Sequence, residues 1–286
     1  MIKIRMSIPL VLTLLFVPFI LNTSFAGQPQ TQITWFGHAT FEIITPQGQS
    51  IWIDPWLTNP MNPWATSKKS PLNEIKKADY ILITHGHSDH VGEAVDLAKK
   101  TGAQLVTHFE LGKQLTNVFG FPKNQAGIQN LINIGGEIDI AQGEVSVTMT
   151  PAVHSSGLEH PKSHEMLYGG TAGGFLLKIK NGPTIYYSGD TAYFKDMELI
   201  GETSPPDLAL LNIGGHFGMS PELAAKAAVA VHAKVAIPHH FKTFPILTQS
   251  PDRFIQSLSR AGIQSRVLTP GVPLIFENHQ LKGDAL

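Results

Sequence analysis

Thr84-His85-Gly86-His87-Ser88-Asp89-His90-Val91-Gly92 decides how this chain of 286 residues is read. Three imidazoles and a carboxylate fall between His85 and His90. The apolar run before them, Tyr80–Thr84, reads as a buried strand, and the spacing after them predicts a helix over Val91–Lys100. In extended backbone, residues i and i+2 point the same way, so His85 and His87 share one face. Asp89 and His90 then enter the first helical turn and face a second point nearby. Neutral imidazoles with a carboxylate are the ligands that borderline metal ions take. The alternative makes Asp89 a helix cap and the histidines a polar loop. It does not account for four such residues so closely spaced.

Working outward, three more candidates each follow an apolar strand. His154 comes after Val145–Thr150, Asp190 after Tyr186-Tyr187-Ser188-Gly189, and His240 after Val235–Pro238. Each sits in a loop rich in Gly, Ser or Pro, where functional sites are commonly placed. Alone, a histidine after a strand reads as structural. As a set they complete a ligand count: three histidines and a shared carboxylate for one ion, and Asp89, His90, Asp190 and His240 for another. A carboxylate such as Asp190 can bridge two cations about 3.5–4 Å apart, with a hydroxide between them.

Composition excludes several other classes. The chain has 21 Lys+Arg, 22 Asp+Glu, 13 His and no Cys, for a formal net charge of −1. With 42% hydrophobic residues a packed core is expected and intrinsic disorder is excluded. The absence of Cys excludes a disulfide scaffold and any Cys-based zinc finger. Without a basic excess to neutralise phosphates, no nucleic-acid partner is expected.

The N-terminus reads as an address. Lys3 and Arg5 precede an apolar run from Ile8 to Leu21, and Ser24-Phe25-Ala26 follows as a cleavage site. The run is shorter than the ~20 residues of a membrane span. We therefore expect a signal peptide over residues 1–26, a single domain over 27–286, export to the periplasm or the medium, and no stable membrane anchor after cleavage. In the mature chain, early strands are expected over Gln32–Phe36, Thr40–Ile44 and Ser50–Asp54. A Pro-rich loop follows, and later strands alternate with helices. A hairpin is expected around Asn181-Gly182. A helix is expected from Pro221, capped by Ser220, then one over Pro251–Ala261 and a last strand over Arg266–Thr269. The segment from His154 to Gly170 reads as a long polar loop. Two sheets flanked by helices suit this order, as does an ordinary α+β domain.

H-x-H-x-D-H on a strand–helix loop, then a lone His, then Asp in Ser-Gly-Asp-Thr, then a late His, resembles the metallo-β-lactamase-fold hydrolase superfamily. Within it the chain is similar to the ascorbate-6-phosphate lactonase-like branch of uncharacterised hydrolases. The segments Gly37-His38-Ala39-Thr40 and Gly214-Gly215-His216-Phe217 carry that narrower likeness. The resemblance implies an α/β fold, an αββα sandwich of two mixed β-sheets flanked by helices. It implies a binuclear site in which His85, His87 and His154 bind one ion, Asp89, His90 and His240 the other, and Asp190 bridges. His239 adjoins His240, and the family's position before an aromatic selects His240. Two divalent ions are expected, Zn first among them, with Mn, Fe or Ni also suited to such nitrogen and oxygen ligands.

The expected activity is metal-dependent hydrolysis of an ester, lactone or related bond in a small molecule. Asp89 would orient the nucleophile or carry a proton, and His216 would contact substrate or stabilise developing negative charge. Two alternatives stand beside it: a phosphodiesterase on nucleotides or lipid head groups, and a non-catalytic metal-binding protein of the same fold. Asp54 either orients a ligand histidine or caps a turn. His38 either lines the site or satisfies a buried backbone group. Trp56, Met61, Trp64 and Phe217 form either an apolar pocket wall or core packing. His160 and His164 read as solvated.

Overall fold

β-branched and aromatic residues with Gly and Pro punctuation build an N-terminal meander: β1 (Gln30–Trp35), β2 (Phe41–Ile44) and β3 (Ser50–Ile53). The computed structural model describes residues 1–2, 30–65 and 69–282. The expected signal peptide, beyond its first two residues, and the boundary at Gly27 lie outside the described residues. The chain continues through β4 (Tyr80–Ile83), the short helix α1 (Ser88–Val91), α2 (Ala94–Thr101), β5 (Gln104–His108) and α3 (Phe109–Asn117). After β6 (Leu131–Ile132), β7 (Glu137–Ile140) and β8 (Val145–Pro151) comes the small hairpin of β9 (Gly157–Glu159) and β10 (Met166–Tyr168). Next are β11 (Gly173–Ile179), β12 (Thr184–Tyr187), α4 (Met197–Thr203), β13 (Leu208–Asn212), α5 (Pro221–Ala230) and β14 (Val235–His239). The end of the chain holds α6 (Asp252–Ala261), β15 (Gln264–Ser265), β16 (Pro273–Glu277) and β17 (Gln280–Lys282).

Among the described residues all strands but β9 and β10, which pair only with each other, form two mixed sheets. One has eight strands in the order β17-β16-β1-β2-β3-β4-β5-β6; the other has seven, β15-β14-β13-β12-β11-β8-β7. Ile33, Phe41, Ile43, Ile53 and Leu82 of the first meet Val147, Phe175, Leu177, Tyr187 and Leu210 of the second in one core. The outer face of the first sheet, with Trp52, Ile81, Ile83 and Leu105, is covered by Leu97 and Ala98 of α2 and Leu111 and Leu115 of α3. The Ala-rich face of α5, with Phe254 and Leu258 of α6, covers the second. The architecture is the expected αββα sandwich. β12, β13 and β14 run parallel, with Tyr187 opposite Leu210 and Asn212 opposite His239. Their C-terminal ends therefore reach one edge of the sandwich together.

Three expectations need correction. The helix expected over Val91–Lys100 is two helices, interrupted at Gly92 with φ 42° and ψ −127°. A Cβ there would stand 2.4 Å from the Trp56 Cα, so only glycine lets the Pro55-Trp56 backbone lie against this turn. The strand expected over Arg266–Thr269 is instead the two-residue β15 just before it, followed by the unanticipated hairpin of β16 and β17. β16 pairs with β1, with Leu274 opposite Ile33. Only Phe276 of its residues is buried, so its alternation is weak, and its turn is Asn278-His279, both at positive φ, rather than an Asn-Gly pair. The long loop after His154 is not structureless, because β9 and β10 pair within it with Met166 opposite Glu159.

Candidate metal centre

β4 ends at Ile83, and the next residues place three imidazole nitrogens against one another. Nε2 of His85 lies 3.0 Å from Nδ1 of His87, and Nε2 of His154 lies 3.3 Å from the same nitrogen. Tetrahedral ligands at ~2.0–2.1 Å from one ion stand about 3.3 Å apart, so these separations suit a shared cation. Thr84 Oγ1 donates to Asp54 Oδ2 at 2.8 Å and lies 2.9 Å from Nδ1 of His85. The hydroxyl proton is thus committed, Nδ1 of His85 must donate, and its Nε2 is left as a free lone pair.

A second group adjoins the first. His38, Asp89, His90 and His240 bring one ligand atom each within 4.8 Å of one another. Asp190 Oδ2 stands 3.1 Å from Nε2 of His240, 3.5 Å from Nε2 of His90 and 3.8 Å from Nε2 of His154. One carboxylate oxygen therefore touches both groups. Yet among the described residues Nε2 of His90 and Nε2 of His240, both buried and both close to Asp190, meet no well-formed hydrogen bond. Buried nitrogens rarely stay unsatisfied. Two orphaned nitrogens aimed at a buried carboxylate fit a cation between them. The chemistry of the donor set, imidazole and carboxylate, fits a borderline divalent metal.

Asp54 is the hub behind these residues. Its Oδ1 accepts from Thr84 N at 2.9 Å; its Oδ2 lies 2.8 Å from Nδ1 of His90 and accepts from the Tyr187 hydroxyl at 2.9 Å. Both open readings of the sequence at this point are resolved: Asp54 orients a histidine of the cluster, and His38 faces the site. Nε2 of His38 lies 3.0 Å from Asp89 Oδ2, and its Nδ1 lies 2.8 Å from Thr243 Oγ1. Asn212, which sequence reasoning missed, donates to Asp190 Oδ1 at 3.3 Å. His38, Asp54 and His240 all hold positive φ (49°, 45° and 59°), a left-handed backbone costly for such residues and concentrated here.

Electrostatics divides the histidines. Burial holds His85, His87 and His154 below the usual imidazole range, so they are neutral and ready to ligate. Burial, with the neighbouring His240, brings His38 down to about 4. Burial also pulls on His90 and His240, but carboxylates outweigh it: Asp190 and Asp54 lift His90 well above its usual value, and Asp190 brings His240 up to about 9. Burial would raise Asp190, yet His240 and His90 hold it well below the ordinary carboxylate range. Burial would raise Asp89 too, and His240 and His38 hold it down.

A cavity of about 500 Å³ opens onto the cluster and is lined by His87, Asp89, His154, Asp190 and His240 on its floor. Ser88, Ser155, Gly157, Glu159, Met166 and Phe217 make its walls. The structure thus brings together seven residues singled out from the sequence: His85, His87, Asp89, His90, His154, Asp190 and His240. His216 is not among them. Its exposed ring packs edge-on against Phe217, 4.5 Å between centroids, and it does not line the cavity. His239 is buried away from the cluster, stacked on Tyr187 at 5.0 Å and edge-on to Phe41 at 5.7 Å. Of the apolar candidates, Phe217 lines the cavity, while Trp64 packs beside Phe36 and Trp52. The hairpin wall was not legible in the sequence, since three-residue strands in a polar segment carry almost no periodic signal.

Fold and site together define a metal-dependent hydrolase of the metallo-β-lactamase fold, and comparison with known proteins agrees. The Beta-lactamase superfamily domain matches residues 49–241. A UPF0173 metal-dependent hydrolase of Thermodesulfovibrio yellowstonii is 44% identical over 256 residues, covering 89% of this chain and 95% of that protein. Igni18, a metallo hydrolase from the archaeon Ignicoccus hospitalis, has a solved structure that is 35% identical, with TM-score 0.73 over 87% of this chain and 99% of that one. An isothiocyanate hydrolase from Delia radicum gut bacteria shares the fold at 17% identity, TM-score 0.62, over 86% of this chain and 99% of that one. The chain belongs to the β-lactamase superfamily and, within it, to the UPF0173 metal-dependent hydrolases.

Proposed function

We propose that the protein is a binuclear hydrolase of esters or lactones in small molecules. His85, His87 and His154 would hold one divalent ion, Asp89, His90 and His240 the other, and Asp190 would bridge. The observation that carries this reading is Asp190 Oδ2, within 3.1–3.8 Å of nitrogens from both groups. Zinc suits the ligands, as do Mn, Fe and Ni. When bound there, such ions would supply Lewis-acid polarisation of a carbonyl and a water of lowered pKa.

The chain's own residues do the rest. Asp54 and Thr84 hold His90 and His85 in the ligating tautomer and orientation. Asp89 is 26% exposed where Asp190 is 3%, so Asp89 alone of the two is placed to accept a proton from the attacking water and pass it to the leaving oxygen. As the water oxygen bonds to the acyl carbon, the ester C–O bond breaks and that proton completes the alcohol. His38 steadies Asp89 through its Nε2. His216, exposed beside Phe217, is assigned a place near the mouth and no part in the chemistry.

The test is turnover by metal-loaded protein of lactones, aryl esters, phosphodiesters and β-lactams, with Asp190→Ala alongside. Hydrolysis of the first two classes, lost in the variant, supports the reading; turnover of phosphodiesters alone replaces it. Lys3 and Arg5 before an apolar run, with Ser24-Phe25-Ala26 behind it, support export with removal of residues 1–26. The intact mass of the exported protein should then begin at Gly27; an unprocessed chain in the cytoplasm would refute this.

A further inference from the structure

The walls of the cavity carry an inference that rests on the hydrolase reading and narrows it. None of the described residues lining the cavity is Lys or Arg. Beyond the ligand floor, its outer wall offers one carboxylate, Glu159, and two large apolar side chains, Met166 and Phe217. Met166 is 70% exposed and Phe217 55%, so both present apolar surface to whatever enters. Glu159 and Met166 face each other across β9 and β10, which places the carboxylate and the thioether side by side.

This wall is built rather than loose. Leu158, between Gly157 and Glu159, is buried in the core under the first sheet. A Cβ on Gly86 would stand 2.7 Å from the Leu158 side chain, so the His85–His87 turn lies directly on the hairpin. Ser156 Oγ accepts from Gly86 N at 3.1 Å and donates to Gly169 O at 2.9 Å, tying both ends of the hairpin to that turn. The backbone that carries Glu159 is therefore held against the same loop that positions the histidines. Glu159 also pairs with His164, which steadies its carboxylate.

We infer that the substrate carries an apolar group, and no negative charge, on the part remote from the bond that breaks, and that Glu159 is the specificity-determining residue that turns anionic substrates away. A remote phosphate or carboxylate would lie against Glu159 with no Lys or Arg among the cavity-lining residues to receive it, and like charges so placed repel. An aliphatic or aromatic group would cover Met166 and Phe217 instead.

Two measurements on the full, metal-loaded protein test this. The first compares kcat/KM for 4-nitrophenyl butyrate and for mono-4-nitrophenyl succinate, which share a leaving group and differ in a remote carboxylate. The neutral ester should be preferred at least tenfold, and Glu159→Lys should shrink that preference at least fivefold. The second reads binding alone, with neutral N-phenyl-1-naphthylamine against anionic 1-anilinonaphthalene-8-sulfonate. The neutral dye should bind more tightly, Glu159→Lys should narrow or reverse the difference, and Phe217→Ser should weaken the neutral dye. Equal treatment of neutral and anionic partners, or ratios indifferent to Glu159→Lys, would overturn the inference. A dye ratio that responds as stated while neither ester is cleaved would leave the pocket assignment standing and count against the esterase reading.

Discussion

Nδ1 of His90 sits 2.8 Å from Oδ2 of Asp54, and neither side chain is exposed. That pairing commits Nδ1, so the only lone pair His90 can offer is at Nε2, which points to Asp190. The same carboxylate reaches His85 through Thr84 Oγ1. A single residue at the end of β3 thereby aims one histidine of each group.

Asp54→Asn should therefore weaken metal binding without removing a ligand. The amide keeps one acceptor oxygen where the carboxylate served Thr84, His90 and Tyr187. A loss of roughly 10–100-fold in metal affinity is expected, as for other residues that orient ligands. Chelator competition measures it, and unchanged affinity would show that Asp54 merely caps the turn after β3.

Metal loading should release protons. Without an ion, Asp190 and Asp54 hold His90 above its usual value against the pull of burial, and Asp190 brings His240 up to about 9. Ligation needs both imidazoles neutral, so protons should leave these histidines on binding, beyond any given up by a bound water. Calorimetry in buffers of different ionisation enthalpy counts them. Release of none would mean that the two histidines are not ligands.

Much of this site was legible in the sequence, and the reason is local. His85, His87, Asp89 and His90 lie in one turn, where spacing alone sets direction. His154, Asp190 and His240 were weak singly and persuasive only as an ordered set after strands. What stayed hidden depends on packing between distant segments. The Tyr187 hydroxyl meets Asp54, 133 positions away, only because two sheets stack face to face. Glu159 and Met166 reach the cavity only because Leu158 anchors a hairpin too short to show a period. The fold was likewise legible in its long apolar strands. It was not legible in β16 and β17, whose partial burial leaves little alternation to detect.

Gly92→Ala should be severely destabilising. Its φ of 42° and the 2.4 Å approach to the Trp56 Cα leave no room for a methyl group. Strain and overpacking together predict a loss of about 2–4 kcal/mol in denaturant unfolding. A loss under about 0.5 kcal/mol would mean that the turn between α1 and α2 relaxes freely.

The two adjacent histidines should behave differently. His240→Ala should lose an ion, whereas His239→Phe should keep full metal content, its ring remaining stacked on Tyr187. Acid stability separates them again. Burial holds His239 and His85 below 6.5, and with His240 brings His38 to about 4. As pH falls below 6.5, the unfolded chain takes up protons that the folded one refuses, so metal-free protein should lose stability from pH 7 to 5. Each such group adds up to about 1.4 kcal/mol per pH unit. His239→Phe should flatten that slope; an unchanged slope would show that His239 is not held neutral by the fold.

The most direct test is the metal content of the purified, metal-loaded protein, counted per chain, beside that of Asp190→Ala. The wild type should hold two ions and the variant no more than one, with hydrolysis of lactones and aryl esters lost in parallel. A single ion in the wild type, or an Asp190→Ala protein that keeps two ions and full turnover, would contradict the account.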